Sequence, residues 1–565
     1  MRLSGRLELT WTGKDEPYNI ERRLLIEDEK KSHGDSNNQN MLIHGDNLLA
    51  LKALERKYAG KIKCIYIDPP YNTGAAFEYY DDNLEHSIWI NLMEKRLVLL
   101  QKLLKDDGII FVQIDDNEYA YLKVLMDQIF GRNNYLNTVT VKMKNIAGAS
   151  GGGEDKRLKK NIEFILIYTK NYEKYQWVNN AYNYTELYSL VESYRTNNIS
   201  WKYTSVLYSP GEKEYIGSAL DGDGNEIKIF KRNNPIFKSV GQISKEENIS
   251  EREVYYKYIN SIYTTAMPQS SIRPRVMEKV NELGIKNELF SIEYTPKTGK
   301  NRGQLYEQFY KGEKFRLFAW LRDVVEEKKG VYYKKDLQGT FWDGINLNNL
   351  TKEGSVEFPK GKKPEELIMR IIDMATKPGD IVLDSFLGSG TTAAVAHKMK
   401  RSWIGIEMGD HAYTHCKVRI DRVIDGLDNG GITEEVDWNG GGGYHFYELS
   451  EPLFVNHPIL GIYQINNEFD DVMFKKAICN IEGYTYHEHG LIHGFSSEKH
   501  YIHITKEYVN GEYINNFINK LSSDESISIY VLKYQPDLRL PDNVEIIDIM
   551  KNVLPKCIMV KGKEE

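Results

Sequence analysis

Lys63-Cys64-Ile65-Tyr66-Ile67-Asp68-Pro69-Pro70-Tyr71-Asn72-Thr73-Gly74 is an apolar, β-branched run that halts at two consecutive prolines. The run reads as a buried strand. The prolines fix two φ angles and remove two N–H donors, so the backbone after Asp68 is stiff and rich in acceptors. In an open α/β sheet, ligands bind beyond the carboxyl ends of the strands. The tetrapeptide Asp68–Tyr71 thus offers a carboxylate, rigid carbonyl groups and an aromatic ring at the mouth of a site. Those parts suit a planar base with an exocyclic amino group. Asp68 and the Pro69 carbonyl can accept its N–H bonds, and Tyr71 can stack on its face. Taken alone, the same residues also describe a strand followed by a Pro-rich turn with Asp68 as a cap.

Outward from this stretch the chain keeps βαβ pace. Met41–His44 reads as a strand ending at Gly45-Asp46, and Asn47–Tyr58 carries helical apolar spacing. His86–Lys105 repeats apolar residues at Ile88, Leu92, Leu99 and Leu103, and Asp106-Asp107-Gly108 stops it. Ile109–Ile114 is a further strand, closed by Asp115-Asp116-Asn117, a candidate N-cap cluster. A glycine-rich loop, Ala147–Lys160, then runs into Lys156, Arg157, Lys159 and Lys160, and strand Ile162–Tyr168 follows. The predicted organisation is an N-terminal arm (1–40), a first core half (41–171), an inserted α+β module (172–345), a second core half (346–449) and a small C-terminal domain (450–565).

A chain of 565 residues exceeds one hydrophobic core, so about two to four domains are expected. At 41% hydrophobic and 27% charged it is ordinary globular material. Cys64, Cys416, Cys479 and Cys557 form no C-x-x-C pair, so neither a disulfide framework nor a zinc ribbon is indicated, and a reducing, cytoplasmic setting fits. The start, Met1-Arg-Leu-Ser-Gly-Arg6, has no apolar signal core, and no window reaches the length of a membrane span. The net charge of −7 is unevenly distributed: residues 141–340 carry 33 Lys+Arg against 25 Asp+Glu, the remainder 41 against 56. A basic middle in an acidic protein points to a polyanion at the middle.

Three weaker features carry no chemistry. Asp221-Gly-Asp-Gly-Asn-Glu226 resembles a calcium loop but lacks glycine at its sixth position and ends in Arg232 at its twelfth, so it reads as a hairpin turn. His487, His489 and His493 lack metal-ligand spacing, and Asn439-Gly-Gly-Gly-Gly443 reads as a turn without the lysine of a phosphate loop. No metal is expected. From about Ser450 the sequence reads as strand-poor.

The second informative stretch is Ile381-Val-Leu-Asp384-Ser-Phe386-Leu-Gly388-Ser-Gly390-Thr391-Thr392, followed by an Ala-rich helix. This is a strand, a glycine turn that lets a ligand approach the backbone, and an open helix N-terminus. Strand Trp403–Ile406 ends at Glu407, 23 residues after Asp384, where an acid can take ribose hydroxyls. The missing third glycine and the carboxylate of Asp384 argue against a pyrophosphate. They suit a cationic ligand such as the methionine end of S-adenosylmethionine.

Together, Asp68-Pro-Pro-Tyr71 and Phe386-x-Gly388-x-Gly390 resemble the catalytic and cofactor motifs of amino-group DNA methyltransferases, in the permuted order of the β class. Leu7-Glu-Leu-Thr-Trp-Thr-Gly-Lys14, Gly45-Asp-Asn-Leu-Leu-Ala-Leu-Lys52, Phe111-Val-Gln-Ile-Asp-Asp-Asn-Glu118, Phe341-Trp-Asp-Gly-Ile-Asn-Leu347 and Glu357-Phe-Pro-Lys-Gly-Lys-Lys-Pro364 are similar to the Mod subunits of type III restriction–modification systems. The resemblance is strong over 40–170 and 340–410, looser over 172–340 and weak after 450. It implies a Rossmann-like methyltransferase fold with a target-recognition insert. It further implies adenine-N6 methylation of a flipped-out base, S-adenosylmethionine as cofactor, double-stranded DNA as substrate, a homodimer, and a helicase-nuclease restriction subunit as partner. On it, Asp68, Pro69, Pro70 and Tyr71 are catalytic, and Asp46, Lys363, Asp384, Phe386, Gly388, Gly390, Thr391, Thr392 and Glu407 bind the cofactor. Lys156, Arg157, Lys159, Lys160, Lys297, Lys300 and Arg302 are the expected DNA contacts. An N4-cytosine enzyme shares the geometry, but its motif more often resembles Ser-Pro-Pro-Tyr. A non-catalytic recognition subunit would not need both motifs.

Overall fold

In the computed structural model the described residues are 9–16, 18–72, 85–144, 158–267, 271–297, 302–348, 350–358, 361–518, 521–522 and 524–558. The central elements are β1 (Met41–His44), α1 (Asn47–Tyr58), β2 (Ile62–Ile67), α2 (His86–Leu103), β3 (Leu104–Ile114), α3 (Tyr119–Met126), β4 (Tyr135–Lys142) and β5 (Ile162–Thr169). After an insert come α4 (Glu365–Ala375), β6 (Ile381–Asp384), α5 (Thr391–Lys398), β7 (Ser402–Glu407), α6 (Val418–Ile424) and β8 (Gly443–Leu449). Their strands form one sheet in the order β8-β1-β7-β6-β2-β3-β5-β4, with Leu25–Glu27 and Phe341–Trp342 at its two edges. From β8 to β3 every pairing is parallel; β5 returns antiparallel between β3 and β4.

The register explains why the two motifs belong together. The chain leaves β1 for β2 with a gap between them, and β6 and β7 fill that gap more than three hundred positions later in sequence. Val382 of β6 pairs with Cys64 of β2, and Leu383 with Ile65. Asp384 and Asp68 therefore stand at the carboxyl ends of neighbouring parallel strands, where such sheets bind ligands. β2 is buried along its whole length because helices cover both faces. Ile65 and Ile67 enter a core with Leu51, Trp89 and Leu97, whereas Cys64 and Tyr66 enter the opposite core with Leu367, Ile371 and Ala393. Each fully buried aliphatic side chain contributes roughly 1.5–3 kcal/mol.

Residues Ala181–Gln338 form a separate compact unit, within the limits of the 172–345 insert expected from sequence. Its eight-stranded antiparallel sheet and three-stranded sheet carry their own cores. The Asp221–Glu226 segment is the expected hairpin turn, closed by the Asp221 N–H to the Asn225 carbonyl at 2.9 Å.

The expectation of few strands after Ser450 is wrong. Thr485–His489, Ile492–Ser497, His500–Val509, Ser526–Tyr534 and Val544–Asp548 build a five-stranded sheet. Its inner positions include His493, His503 and Ser528, so the apolar alternation that marks a strand is broken by buried polar residues. This region groups with the central sheet: Arg56 of α1 donates to the Tyr484 carbonyl at 2.8 Å, and Arg22 to that of Ile481 at 2.7 Å.

Candidate active site

At the end of β2, Asp68 sits in a ring of charged and polar groups drawn from four segments. The Tyr71 hydroxyl oxygen lies 2.6 Å from Asp68 Oδ1, 2.7 Å from Glu163 Oε2 and 2.8 Å from Lys363 Nζ. Lys363 Nζ also lies 3.1 Å from Asp68 Oδ2 and 3.0 Å from Glu163 Oε2. Gln113 of β3 donates to Glu163 at 2.6 Å and accepts from Tyr66 at 2.7 Å. Behind them, the Pro70 carbonyl accepts the Trp89 indole N–H at 2.8 Å, which pins the proline turn to α2. Burial pushes the Asp68 carboxyl up to about 6, with Glu163 adding to the effect and Lys363 opposing it. Burial works against the charge of Lys363, but Asp68 and Glu163 outweigh it and hold the ammonium above its usual value. For Glu163, burial raises the carboxyl, yet Lys363 and the Tyr71 and Gln113 hydrogen bonds bring it below the usual range.

Lys363, expected among the cofactor residues, places its ammonium between the two carboxylates beside Tyr71 and its carbonyl 3.3 Å from the Thr391 hydroxyl. Glu163 escaped the sequence reading. It opens β5, and because β5 runs antiparallel, its amino end meets the carboxyl end of β3, where Ile114 pairs with Phe164. The available signal was one charged residue before the apolar run Ile165–Tyr168, which becomes informative only once strand direction is known.

The turn after β6 is organised by its own acids. Asp384 accepts the Phe386 N–H at 2.9 Å and the Thr392 hydroxyl at 2.6 Å. Its burial pushes the carboxyl up to about 7, and those two hydrogen bonds oppose the shift. Glu407, at the end of β7, accepts the N–H of Gly388 at 2.7 Å and of Gly409 at 3.1 Å. Thr391 accepts from Arg419 at 2.7 Å and reaches the Lys363 carbonyl at 3.3 Å. Phe386 is buried in the core with Ile43 and Leu48. Asp46 caps α1 through the Leu49 N–H at 3.0 Å and pairs with Arg96 at 3.2 Å, while Asn47 donates to the Ser385 carbonyl at 2.7 Å. The expected cofactor residues thus converge on the ends of β1, β6 and β7, and several side chains brace the turn.

These residues fit S-adenosylmethionine. Gly388 has φ +55°, and a Cβ there would meet the Phe358 ring only at 3.9 Å, so the backbone face stays open to a ligand. The buried Ser385 hydroxyl has no hydrogen-bond partner among the described residues. Phe358 forms an aromatic wall with His411 and His415, at ring separations of 5.1 and 5.5 Å.

Residues 62–417 match the family model of the DNA methylases (N6_N4_Mtase). The chain belongs to the DNA methylase family. It is 46% identical over 424 residues to the probable type III restriction-modification enzyme HindVI Mod subunit of Haemophilus influenzae, covering 75% of this chain and 55% of that protein. It is 29% identical over 441 residues to the EcoPI Mod subunit of Escherichia phage P1, covering 69% and 60%. To the type II methyltransferase M.KpnI of Klebsiella pneumoniae it is 27% identical over 368 residues, covering 62% and 75%. This methylase thus spans between 55% and 60% of the length of those two Mod relatives.

The remaining expected residues of the methylase fall in several places. Lys159 and Arg302 are exposed. Lys160 pairs with Asp115 at 3.3 Å, Asp116 and the Asn117 side chain. That pairing, with an Asx turn from Asp115 to the Asn117 N–H, replaces the helix cap expected of Asp115–Asn117; α3 starts after Glu118 with no side-chain cap. Lys297 pairs with Asp223 at 2.6 Å. Lys156, Arg157 and Lys300 lie outside the described residues. Among the described residues, no group of three or more His, Cys, Asp or Glu could hold a metal, and no helix is long and apolar enough to cross a membrane.

Proposed function

We propose that this chain is an S-adenosylmethionine-dependent DNA methyltransferase acting on adenine N6, and the modification subunit of a type III restriction–modification system. The observation that carries the reading is Asp68, set in Asp-Pro-Pro-Tyr at the end of β2, one strand from the glycine turn after β6. When bound, S-adenosylmethionine supplies an activated methyl group on a sulfonium. The protein's part is to position and to stabilise charge. Asp68 and the Pro69 carbonyl accept the amino hydrogens of a flipped-out adenine, concentrating electron density on N6 as the bond forms. Asp384 balances the cofactor's cation, Glu407 meets its ribose, and the open backbone at Gly388 admits it.

A thiolate route to cytosine C5 is disfavoured: all four cysteines are buried and free, and burial raises the thiol of each. Asp68 in place of the serine more often seen in N4-cytosine enzymes favours adenine. Double-stranded DNA is the proposed substrate, with a homodimer as the working form and a helicase-nuclease restriction subunit as partner. The basic insert is the proposed reader of sequence. The test is transfer of isotope-labelled methyl to unmethylated DNA, followed by digestion to nucleosides and mass spectrometry. Label should appear on N6 of deoxyadenosine and be lost with Asp68→Ala. Label on cytosine N4 sinks the base assignment, and no label at all sinks the activity.

A further inference from the structure

One ammonium and two carboxylates meet at one phenol oxygen, and their protons can be counted. Tyr71 has a single hydroxyl hydrogen, yet its oxygen lies within 2.7 Å of both Asp68 Oδ1 and Glu163 Oε2. The three ammonium hydrogens of Lys363 are taken by Tyr71, Glu163 and Asp68. Two ionised carboxylates would leave one of the short contacts on Tyr71 without a hydrogen, an arrangement that low-dielectric surroundings penalise. The contacts close if one carboxyl carries a proton and donates it to the Tyr71 oxygen. Glu163 already accepts from Lys363 and from Gln113, whose own oxygen is fixed by Tyr66, so Glu163 is the better held anion. The extra proton then sits on Asp68, and the bonds run in one direction, from Asp68 to Tyr71 to Glu163.

We infer that Glu163 is a second proton station for methyl transfer, receiving through the Tyr71 hydroxyl the proton that leaves the target amino group by way of Asp68. This rests on the reading of the chain as an amino-group methyltransferase. Transfer forms the bond from N6 to the methyl carbon, breaks that carbon's bond to sulfur with the electron pair left on sulfur, and leaves N6 with one proton too many. In the free site Asp68 holds the extra proton; the target amino group, donating its N–H to Asp68, displaces that proton to solvent, and the ionised Asp68 takes the N6 proton as the bond forms. Tyr71 then accepts it while passing its own hydroxyl proton to Glu163, so Asp68 returns to the carboxylate and Glu163 ends as the acid. Glu163 touches neither base nor cofactor on this account and acts through Tyr71 and Asp68; it is a positioning residue. The groups that face this chain are Tyr66 from β2, Gln113 from β3, Lys363 from the segment before α4, and Asp384 from β6, whose charge is felt at Tyr66 and Asp68. Lys363 keeps the charge of the cluster near neutral whichever carboxyl holds the proton.

The test is single-turnover methylation by the full chain, with saturating S-adenosylmethionine and unmethylated DNA, from pH 6 to 9. It compares the parent with Glu163→Gln, Glu163→Asp, Tyr71→Phe and the double variant. Glu163→Gln should slow the chemical step about 10-fold or more at pH 7. The loss should shrink as pH rises and solvent takes the proton, while cofactor and DNA affinities stay within about 2-fold. Glu163→Asp should recover much of the rate. Because one proton path serves both, Glu163→Gln with Tyr71→Phe should cost no more than Tyr71→Phe alone. An unchanged rate in Glu163→Gln, a loss equal at every pH, or additive losses in the double variant would overturn the inference while the parent stays active. A parent that transfers no methyl to DNA overturns the functional reading beneath it.

Discussion

Replacing Asp68 by asparagine should make the protein more stable, and more so at alkaline than at acid pH. The carboxyl is pushed from 3.8 up to about 6, by burial and then by Glu163, with Lys363 opposing. A carboxyl raised on folding lowers stability as pH climbs through that window: nothing is lost below the unfolded value, and the full cost is present above the folded one. Each unit is worth about 1.36 kcal/mol, so roughly two units give about 3 kcal/mol at pH 8. The Asp68 side chain is 19% exposed. Solvent therefore takes a share, and about 2–3 kcal/mol is the working figure. At pH 5 about half of that remains by the same linkage. The amide keeps an oxygen for Lys363 or Tyr71, so the substitution removes the charge without opening a cavity. Urea unfolding followed by the fluorescence of Trp89 and Trp403 at pH 5 and pH 8 reads the difference. A variant no more stable than its parent at pH 8, or equally stabilised at both pH values, would refute the placement of Asp68 as a buried, charge-crowded acid.

Further expectations attach to single residues. Gly388→Val places a β-branched side chain at φ +55° on the open face of the cofactor turn and should abolish calorimetric binding of S-adenosylmethionine. Glu407→Ala removes the acceptor for two backbone N–H groups and should cost on the order of 1–3 kcal/mol of cofactor affinity. Arg419→Ala strips a fully buried guanidinium from Glu365, 2.7 Å away, and from Thr391; a loss of about 3–5 kcal/mol in unfolding free energy, read by urea unfolding, is expected. Neutralising Lys297 and Arg302 should weaken binding to all DNA sequences alike and flatten the salt dependence by about one unit of slope per lost contact. Lys297 should contribute less, since Asp223 already holds it. Exchanging residues 181–338 for the insert of a relative should change which site is methylated; retention of the original site would sink the assignment of the insert as reader.

Much of the central sheet could be read in advance, because its strands stop at residues that break strands. The β2 strand ends at Asp68-Pro69-Pro70, β1 at Gly45-Asp46 and β6 at Asp384, and in each case the break in the apolar pattern coincides with the site edge. The two half-sites were paired by their resemblance to methyltransferase motifs, since nothing in the local pattern places β6 beside β2. Strand direction was not legible. Apolar run Ile165–Tyr168 looks alike whichever way it runs, and only its antiparallel pairing with β3 brings Glu163 to Asp68. Lys363 was placed with the cofactor by family resemblance alone; its ammonium sits between the two carboxylates, while its carbonyl meets Thr391 of the glycine turn. Asp115–Asn117 read as a cap because local propensity favours it; Lys160, distant in sequence, wins the carboxylates instead. The C-terminal sheet stayed hidden behind inward histidines and serines that find polar partners, such as His503 with Tyr513 at 2.9 Å.

The most direct measurement is the identity of the modified base in genomic DNA from a methylation-free host expressing the whole chain, with Asp68→Ala expressed alongside. N6-methyladenine at one short sequence, absent with the variant, is the predicted result. N4-methylcytosine at that site, or unmodified DNA from a protein that binds S-adenosylmethionine, would contradict it.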